Sequence, residues 1–590
     1  MLAVLVLLGA GDAVSAAVRR PESWSIGPSV QAGAFERRDA VPVPMRDGIR
    51  LVADLWIPKG AGKYPVITIR TPSGRPAEWM DGKGVGEYFA SRGYAVVIQD
   101  VRGTGDSPGT FGFLWQEGND GFDTVEWSAV QPWSNGRVAS MGHSYTGAAQ
   151  WITARQKPPH LVCMAPTAAG GMYFNELPYV GGAFGMMGSL GWLNQFGKDS
   201  VDPKTVDWVK VANHRPLRTM DSVLGRSLPI YRDFLDHPTM DGYWAKLQYF
   251  DEDFLTATIP TLTITGWFDR NQAGALFYWR GVRAKSPAKA QQYLLAGPWD
   301  HRQTWAGGAE KMGAFEWGKA GVVDYRPMQL AWFDYCLKQN RPSFDFPRAR
   351  VFVTGSNQWL DLPEYPPPGA GKPRAFYLRS RGHANTAAGD GTLSFAPPGQ
   401  EPPDRFTYDP RQPAPSPEQE AGFDQRASHR RPDVLLYTSE RMTGMLSVIG
   451  QVKLELYFAS DGLDTDFTAK LIDVFPDGRS IMIGPKQAIF RARYRYGFER
   501  QVPLIPGKPT KMVLDLYDVA HTFLPGHRVQ LEISSSAFPT FNPNQNTGNP
   551  VATDTNFRVA RQLVFHEGQW ASRLFLPVFP FDVKQSGVRR

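Results

Sequence analysis

The sequence has few cysteines, and their spacing excludes the common metal-binding motifs. Cys163 and Cys336 are the two cysteines in 590 residues, far from the Cys-x2-Cys type of spacing that holds a metal. They are either two buried thiols or one disulfide. The sequence also lacks basic runs interleaved with aromatic residues. The 64 Lys and Arg residues exceed the 57 Asp and Glu residues by seven and are spread along the chain, which argues against a nucleic-acid-binding protein.

One apolar run is long enough to suggest targeting, and it stands at the start of the chain. Residues 1–16 are apolar as far as Asp12 and end in the small residues Val14, Ser15 and Ala16. This pattern predicts a signal peptide that is cut after Ala16, and therefore export to the periplasm or the medium. The run is too short for a stable membrane span in the mature protein. No Lys or Arg precedes it, so a cytoplasmic protein with a different start is the alternative.

The composition, 42% apolar and 21% charged, is that of a globular protein, and the length suggests about three to four domains. In the first part of the chain, apolar runs of strand length alternate with helical patterns. The runs at 64–69 and 94–99 are continuously apolar, as in buried parallel strands. We therefore expect an α/β fold with a mainly parallel sheet.

A serine stands in a nucleophile-elbow context at 142–147 (GHSYTG). Ser144 follows a strand-like run and precedes a helix-forming one, so a sharp turn would project its hydroxyl clear of the sheet. Gly142 fits the close packing of such a turn. The usual second glycine is replaced by Thr146, and Gly147 comes one residue later. The backbone N–H of Tyr145 would open the helix and could face a developing oxyanion.

An acid and a base follow in the order typical of α/β-hydrolases. His301 lies in the loop after the apolar run 292–296, and Asp269 ends the loop after another strand-like run, 260–265. The 32 residues between them leave room for one helix, near 271–285, and one strand, so both side chains would reach the same sheet edge. Asp300 is the competing acid, but neighbours in sequence rarely turn toward each other in the required geometry.

At this point the residues resemble a known family. The chain is similar to the cocaine esterase / X-Pro dipeptidyl-peptidase family, the CocE/NonD hydrolases, which also contains α-amino-acid ester hydrolases and glutaryl-cephalosporin acylases. The matching motifs are 43–48 (VPMRDG), 99–103 (QDVRG), 142–147 (GHSYTG), 266–269 (GWFD), 297–301 (GPWDH), 464–470 (DTDFTAK), 523–528 (FLPGHR) and 534–539 (SSSAFP). The resemblance implies a catalytic triad of Ser144, Asp269 and His301, with no metal and no organic cofactor.

The expected fold class is α/β, with an α/β-hydrolase domain, an inserted helical cap and a C-terminal β-sandwich. We assign residues 36–167 and 256–347 to the hydrolase domain and the segment 168–255, rich in Gly, Met and aromatic residues, to the cap. Residues 348–590 show period-2 alternation, which indicates antiparallel strands; the family equivalent is a jelly roll. This last domain is expected to wall the active-site cleft and to support assembly into a homo-oligomer.

Two departures from the family concern the oxyanion and the substrate. The family places a tyrosine as the second oxyanion donor where this chain has Ser73, whose hydroxyl is about one ring shorter. The amino-ester hydrolases hold a substrate ammonium with carboxylates just after the triad aspartate, where this chain has Arg270 and Asn271. Glu176 in the cap is the nearby candidate for binding a cation. The predicted pocket residues are Trp192, which matches a family pocket tryptophan, and Tyr179, Phe184 and Phe268.

The sequence thus predicts a serine hydrolase that cleaves a small ester or amide through an acyl-enzyme. One alternative is an X-Pro dipeptidyl-peptidase, although no clear carboxylate anchors a peptide's free amino group. Another is a catalytically impaired protein that binds a ligand on the same fold. The triad assignment predicts that Ser144→Ala abolishes turnover. It also predicts that Asp269→Asn costs on the order of 10⁴ in kcat through a wrong histidine tautomer, and that activity falls in acid as His301 protonates.

Overall fold

The computed structural model describes residues 34–75, 84–197, 199–338, 343–368, 370, 373–416 and 421–580. The predicted signal peptide, 1–16, lies outside the described residues. Across the described ranges, we find no helix with both the length and the apolar character needed to cross a bilayer.

The first part of the chain forms six strands and three helices. They are β1 Phe35–Pro44, β2 Arg50–Pro58, β3 Tyr64–Thr71, α1 Val85–Ala90, β4 Ala95–Asp100, α2 Glu117–Ala129, β5 Ser134–His143, α3 Tyr145–Arg155 and β6 Leu161–Thr167. The strands β3 to β6 are buried along almost their whole length, as expected for parallel strands covered on both faces.

The segment after β6 is a cap built from short elements. They are β7 Tyr179–Val180, β8 Ala183–Phe184, α4 Met186–Leu193, α5 Trp208–Asn213, α6 Met220–Val223, α7 Pro229–Asp236, α8 Gly242–Ala245 and α9 Asp251–Thr256. These helices are too short to be stable alone. Their buried aromatic and aliphatic side chains form one cluster that also includes residues of α3, so the cap is packed onto the helix that follows Ser144.

The chain then returns to the first sheet. The elements are β9 Thr261–Phe268, α10 Gln272–Lys285, β10 Gln292–Asp300, α11 Gln303–Ala306, β11 Lys311–Met312, β12 Phe315–Glu316, α12 Tyr325–Leu337, β13 Ala349–Val353 and β14 Gln358–Leu362. The sheet has the strand order β1-β2-β4-β3-β5-β6-β9-β10-β13-β14. The strands from β4 to β13 in this order are parallel, and β1, β2 and β14 pair antiparallel at the edges.

Two strands that follow the predicted domain boundary at 348 belong to this sheet. β13 pairs in parallel with β10, and β14 pairs with β13, so both strands belong to the hydrolase sheet. The period-2 alternation that begins near 348 thus falls first on two strands at the end of the first sheet, and only later on the strands of the second sheet. Cys163 on β6 and Cys336 on α12 are both buried, unbonded thiols.

The C-terminal part is antiparallel in character. Its strands are β15 Arg374–Arg379, β16 Thr392–Ser394, β17 Asp404–Tyr408, β18 Pro415–Ser416, β19 Leu435–Ser439, β20 Leu446–Ser460, β21 Asp466–Val474, β22 Ser480–Arg491, β23 Thr510–Phe523, β24 Arg528–Ser534, β25 Phe538–Pro539, β26 Ala560–Val564 and β27 Arg573–Leu576. Eleven of them join one hydrogen-bonded network. Its apolar core is continuous with that of the hydrolase sheet, so the two domains share one interior.

Candidate active site

The turn between β5 and α3 has the geometry of a nucleophile elbow. Ser144 has φ 60° and ψ −119°, a strained conformation for a residue with a side chain. Glycine is required on both sides. A Cβ on Gly142, where φ is +145°, would lie 2.2 Å from Cγ2 of Thr146, and one on Gly147 would lie 2.7 Å from the carbonyl oxygen of Thr167. The glycine that the usual motif places two residues after the serine is therefore needed here one residue later.

The three predicted triad residues form one hydrogen-bonded chain. Nε2 of His301 lies 2.9 Å from the Ser144 hydroxyl, and Nδ1 lies 2.7 Å from Oδ1 of Asp269. Asp269 is fully buried, so its carboxylate favours the tautomer in which Nδ1 carries the proton and Nε2 accepts from the serine. The same Oδ1 accepts the Asn271 N–H at 2.9 Å. Among the described residues, Oδ2 has no hydrogen-bond partner.

Parallel pairing explains why these residues meet. β9 and β10 are neighbours in register, and Asp269 and His301 each follow the end of one of them. The helix between them is α10, close to the predicted 271–285. Asp300 serves a different purpose, because its Oδ1 accepts the backbone N–H groups of Arg302 and Gln303 at 2.9 and 2.8 Å. The structure therefore brings Asp269, and not Asp300, to the histidine.

A second histidine, which the sequence reasoning missed, packs against the triad. The ring of His143 lies 4.7 Å from that of His301 and 4.5 Å from that of Trp305, centroid to centroid. The Thr304 hydroxyl donates to the carbonyl oxygen of His301 at 2.8 Å and lies 3.0 Å from Nε2 of His143. Because that hydroxyl has one proton, His143 donates from Nε2. Burial lowers the pKa of His143 well below the usual range, so the ring is neutral beside His301.

Of the two predicted oxyanion donors, Tyr145 and Ser73, only Tyr145 lines the same cavity as Ser144. Tyr145 is the first residue of α3, where a backbone N–H has no intrahelical acceptor, and its phenol is fixed by donating to the Phe113 carbonyl at 2.7 Å. Ser73 lines a separate cavity with Phe111. Phe111 in turn packs against Tyr145 and Trp192, with ring centroids 6.1 and 6.2 Å apart. The structure thus keeps Tyr145 beside Ser144 but does not bring Ser73 into the same cavity.

Ser144 opens into a cavity of about 450 Å³. Its wall is mostly apolar and draws on all three parts of the chain: hydrolase loops, cap and C-terminal domain. The principal apolar lining residues are Phe113, Tyr145, Tyr173, Met187, Trp192, Trp208, Phe234 and Phe541. A cavity of this size and character suits a small organic substrate.

The structure corrects three of the four predicted pocket residues. Trp192 lines the cavity as expected. Tyr179 is buried in the cap, where its hydroxyl donates to the Phe234 carbonyl at 2.9 Å, and Phe184 is fully buried beside it. Phe268 stacks on Phe315 and Trp317 instead. All three fill the interior, which is the commoner role for an aromatic side chain.

The charged groups of the cavity are Glu176, Arg270 and Lys486. Glu176 accepts three backbone N–H groups, from Gly171 at 2.8 Å, Met172 at 3.1 Å and Gly274 at 3.0 Å. Burial nevertheless raises the pKa of Glu176 to about 7. Burial also lowers the pKa of Lys486 to about 8. In the described ranges, no cluster of three or more His, Cys, Asp or Glu side chains is arranged to hold a metal ion.

Comparisons with known proteins agree with this architecture. Residues 47–303 match the family model of the X-Pro dipeptidyl-peptidase (S15 family), and residues 343–574 match that of the X-Pro dipeptidyl-peptidase C-terminal non-catalytic domain. The cocaine esterase of Rhodococcus sp. (strain MB1 Bresler) is 33% identical over 565 residues, covering 88% of this chain and 94% of the relative. The chain belongs to the CocE/NonD hydrolase family.

Two solved structures extend the match over almost the whole chain. An aminopeptidase from a marine sediment archaeon (Thaumarchaeota archaeon) superposes with a TM-score of 0.81 at 26% identity, covering 94% of this chain and 98% of that one. An α-amino acid ester hydrolase gives 0.80 at 26% identity, covering 95% and 100%. The predicted fold class is confirmed, and the protein is a serine-type acyl hydrolase.

Proposed function

We propose that this CocE/NonD hydrolase cleaves small carboxylic esters through an acyl-enzyme on Ser144. The observation that supports it most directly is the continuous Ser144–His301–Asp269 hydrogen-bond chain, whose serine lines a mostly apolar cavity. An apolar wall favours a substrate with an aromatic or alkyl moiety, since burying such a group in the cavity is favourable.

The geometry suggests the following sequence of steps. His301 takes the Ser144 proton at Nε2 as the serine oxygen attacks the ester carbonyl, and the Tyr145 N–H stabilises the oxyanion. The imidazolium, stabilised by Asp269, then protonates the leaving alkoxide as the tetrahedral intermediate collapses to the acyl-enzyme. Water attacks the acyl-enzyme in the same manner, with His301 first as base and then as acid.

The second candidate is release of X-Pro dipeptides, which the names of both matching family models favour. A peptidase of that kind must hold a free amino terminus. Glu176 is the carboxylate that lines the cavity, and three of its lone pairs already accept backbone N–H groups. A substrate ammonium would also be repelled by Lys486. The ester therefore remains the preferred substrate.

A fluorophosphonate probe and a substrate screen test both candidates. We expect the probe to label Ser144 in the wild-type chain and not in Ser144→Ala. We expect p-nitrophenyl esters to be hydrolysed faster than aminoacyl-Pro p-nitroanilides. Faster release from the anilides would favour the peptidase. Labelling of another serine would overturn the assignment, and labelling of none would favour the ligand-binding protein.

Export is a separate proposal, supported by the apolar residues 1–16. Expression of the full chain in a bacterial host, followed by amino-terminal sequencing of the periplasmic or secreted protein, tests it. A mature protein that starts at Ala17 is the expected result, and an intact chain confined to the cytoplasm would contradict it.

A further inference from the structure

The cavity that contains Ser144 is also lined by a lysine that has no hydrogen-bond or ion-pair partner among the described residues. Lys486 lies on β22 of the C-terminal domain, and its side chain lines the cavity. None of the hydrogen bonds or ion pairs within the described ranges involves its ammonium group. Its Nζ lies 5.7 Å from the centroid of the Tyr517 ring. A partly buried ammonium without an acceptor is costly unless a ligand supplies one.

Glu176 does not fill that role. It lines the same cavity, and its charge acts on Lys486, yet no ion pair within 4 Å joins the two among the described residues. Its oxygens are held instead by three backbone N–H groups that tie the loop at 171–172 to α10. The Glu176 carboxylate thus holds the 171–172 loop against α10, and the Lys486 side chain lines the cavity without an ion-pair partner among the described residues.

Arg270 adds a second positive charge to the wall. It follows Asp269 directly in the sequence, and it is an exposed residue. Among the described residues, the carboxylate that lines the cavity beside Lys486 is Glu176, and it already accepts three backbone N–H groups. An environment of this kind favours an anionic ligand group over a neutral one, and a neutral one over a cation.

We propose that Lys486 is the centre of an anion subsite that binds a carboxylate carried by the ester substrate. This inference rests on the proposed esterase function and adds the chemical class of the substrate. The carboxylate could belong to the acyl chain or to the alcohol portion, since both lie within a cavity that begins at Ser144. The shared chemistry is a charge-assisted hydrogen bond from the ammonium group.

Three acyl esters of equal length test the charge preference. They are mono-p-nitrophenyl adipate, p-nitrophenyl hexanoate and p-nitrophenyl 6-aminohexanoate, which end in a carboxylate, a methyl group and an ammonium group. For the alcohol portion, 3-carboxy-4-nitrophenyl butyrate is compared with p-nitrophenyl butyrate. In the wild-type protein, we expect one of the two carboxylate esters to exceed its neutral partner in kcat/KM, and that pair identifies the side on which the carboxylate binds.

The decisive quantity is the ratio of kcat/KM for the charged ester to that for its neutral partner, measured within each variant. We expect Lys486→Met to lower this ratio about 10- to 100-fold, as loss of a charge-assisted hydrogen bond does. Lys486→Arg should largely keep it, and Lys486→Glu should shift the preference toward the aminohexanoate. The matched control is Lys453→Met, an exposed lysine on β20, which should leave the ratio unchanged.

The outcomes separate this inference from the esterase function. If every variant is labelled by the fluorophosphonate probe and hydrolyses hexanoate, but Lys486→Met keeps the wild-type ratio, the anion subsite is refuted and the esterase function stands. A wild-type preference for the aminohexanoate would also refute it. If the wild-type protein hydrolyses no ester and the probe labels no serine, the proposed function itself has failed.

The pH dependence of the same ratio gives a second test. Glu176, Arg270 and Asp269 are the charged groups that act on Lys486. With a pKa of about 8, Lys486 is charged below that pH and neutral above it. Glu176, with a pKa of about 7, loses its opposing charge as the pH falls. The carboxylate preference should therefore be greatest near pH 6 and fall as the pH passes 8. A pH effect on the catalytic step itself affects both esters and cancels in the ratio. A ratio that stays constant from pH 6 to pH 9.5 would contradict the assignment.

Discussion

Replacement of the triad aspartate by asparagine should lower kcat, but by less than if the substitution also reversed the tautomer of His301. Oδ1 of Asp269 accepts two donors, Nδ1–H of His301 at 2.7 Å and the Asn271 N–H at 2.9 Å. Oδ2 has no hydrogen-bond partner among the described residues. In Asp269→Asn, the amide oxygen should therefore occupy the Oδ1 position, because the NH2 group there would face two donors. His301 would keep its proton on Nδ1, and the sequence-based expectation of a wrong tautomer is revised.

The remaining loss is electrostatic and can be worked out. The imidazolium that forms during the reaction would lose a carboxylate whose charge centre is roughly 4 Å away. At an effective dielectric constant of about 20, that interaction is worth about 4 kcal/mol, which corresponds to a loss of about 10³ in kcat. A reversed tautomer would cost about 10⁴. Asp269→Ala removes the hydrogen-bond acceptor of His301 altogether, so kcat should fall by a factor of about 10⁴ or more.

The assay compares kcat for p-nitrophenyl butyrate in Asp269→Asn and Asp269→Ala, with thermal unfolding to verify that both variants fold. We expect the asparagine variant to be about tenfold faster than the alanine variant. The matched control is Asp300→Asn, whose carboxylate caps the turn after His301; asparagine caps nearly as well, so kcat should stay close to the wild-type value. An asparagine variant no faster than the alanine variant would refute the argument for a retained tautomer.

The other predictions concern the surroundings of the nucleophile. Thr304→Val removes the hydroxyl shared by His143 and His301 and should lower the free energy of unfolding by about 1–3 kcal/mol. Thr304→Ser keeps the hydroxyl and should not lower the free energy of unfolding in this way. Equal losses of stability for the two variants in a denaturant titration would contradict the prediction. Gly142→Ala places a Cβ 2.2 Å from a Thr146 methyl and should lower both the melting temperature and the extent of probe labelling; normal labelling would show that the elbow adapts. Ser73→Ala should change kcat by less than about threefold, whereas a loss of 10² or more would identify Ser73 as a direct oxyanion donor. Ser73→Tyr should raise kcat more than it changes KM if a second donor is missing, and an unchanged kcat in a folded variant would show that another group supplies it.

The reacting groups could be predicted from sequence because each follows a recognisable local pattern. Ser144 lies between a strand and a helix, and Asp269 and His301 each follow a buried strand. Parallel strands present such loops at one edge of the sheet, so local context was enough to bring the three together. The choice of Asp269 over Asp300 rested on the same geometry, and the structure agrees.

The walls of the cavity could not be predicted in the same way. Tyr179, Phe184 and Trp192 are all aromatic residues of the cap, and nothing in the neighbouring sequence distinguishes them. Of the three, only Trp192 lines the cavity. The cap elements are two to eight residues long, too short for a periodic pattern to reveal which face is buried. His143 was missed for a related reason, since its contact with Thr304 depends on where the short helix α11 lies after β10.

Lys486 shows why the C-terminal domain matters to the chemistry. It lies 217 residues after Asp269 in sequence (486 − 269), on a strand that contributes no catalytic group, and nothing in its local sequence marks it as a ligand-binding residue. β22 nevertheless packs against β9, the strand that ends at the triad aspartate, and against the short cap strands β7 and β8. The domain thus sets one wall of the cavity without touching the reacting atoms. Substitutions on β22 can therefore change the charge that the substrate meets while the triad geometry, fixed by β5, β9 and β10, stays the same.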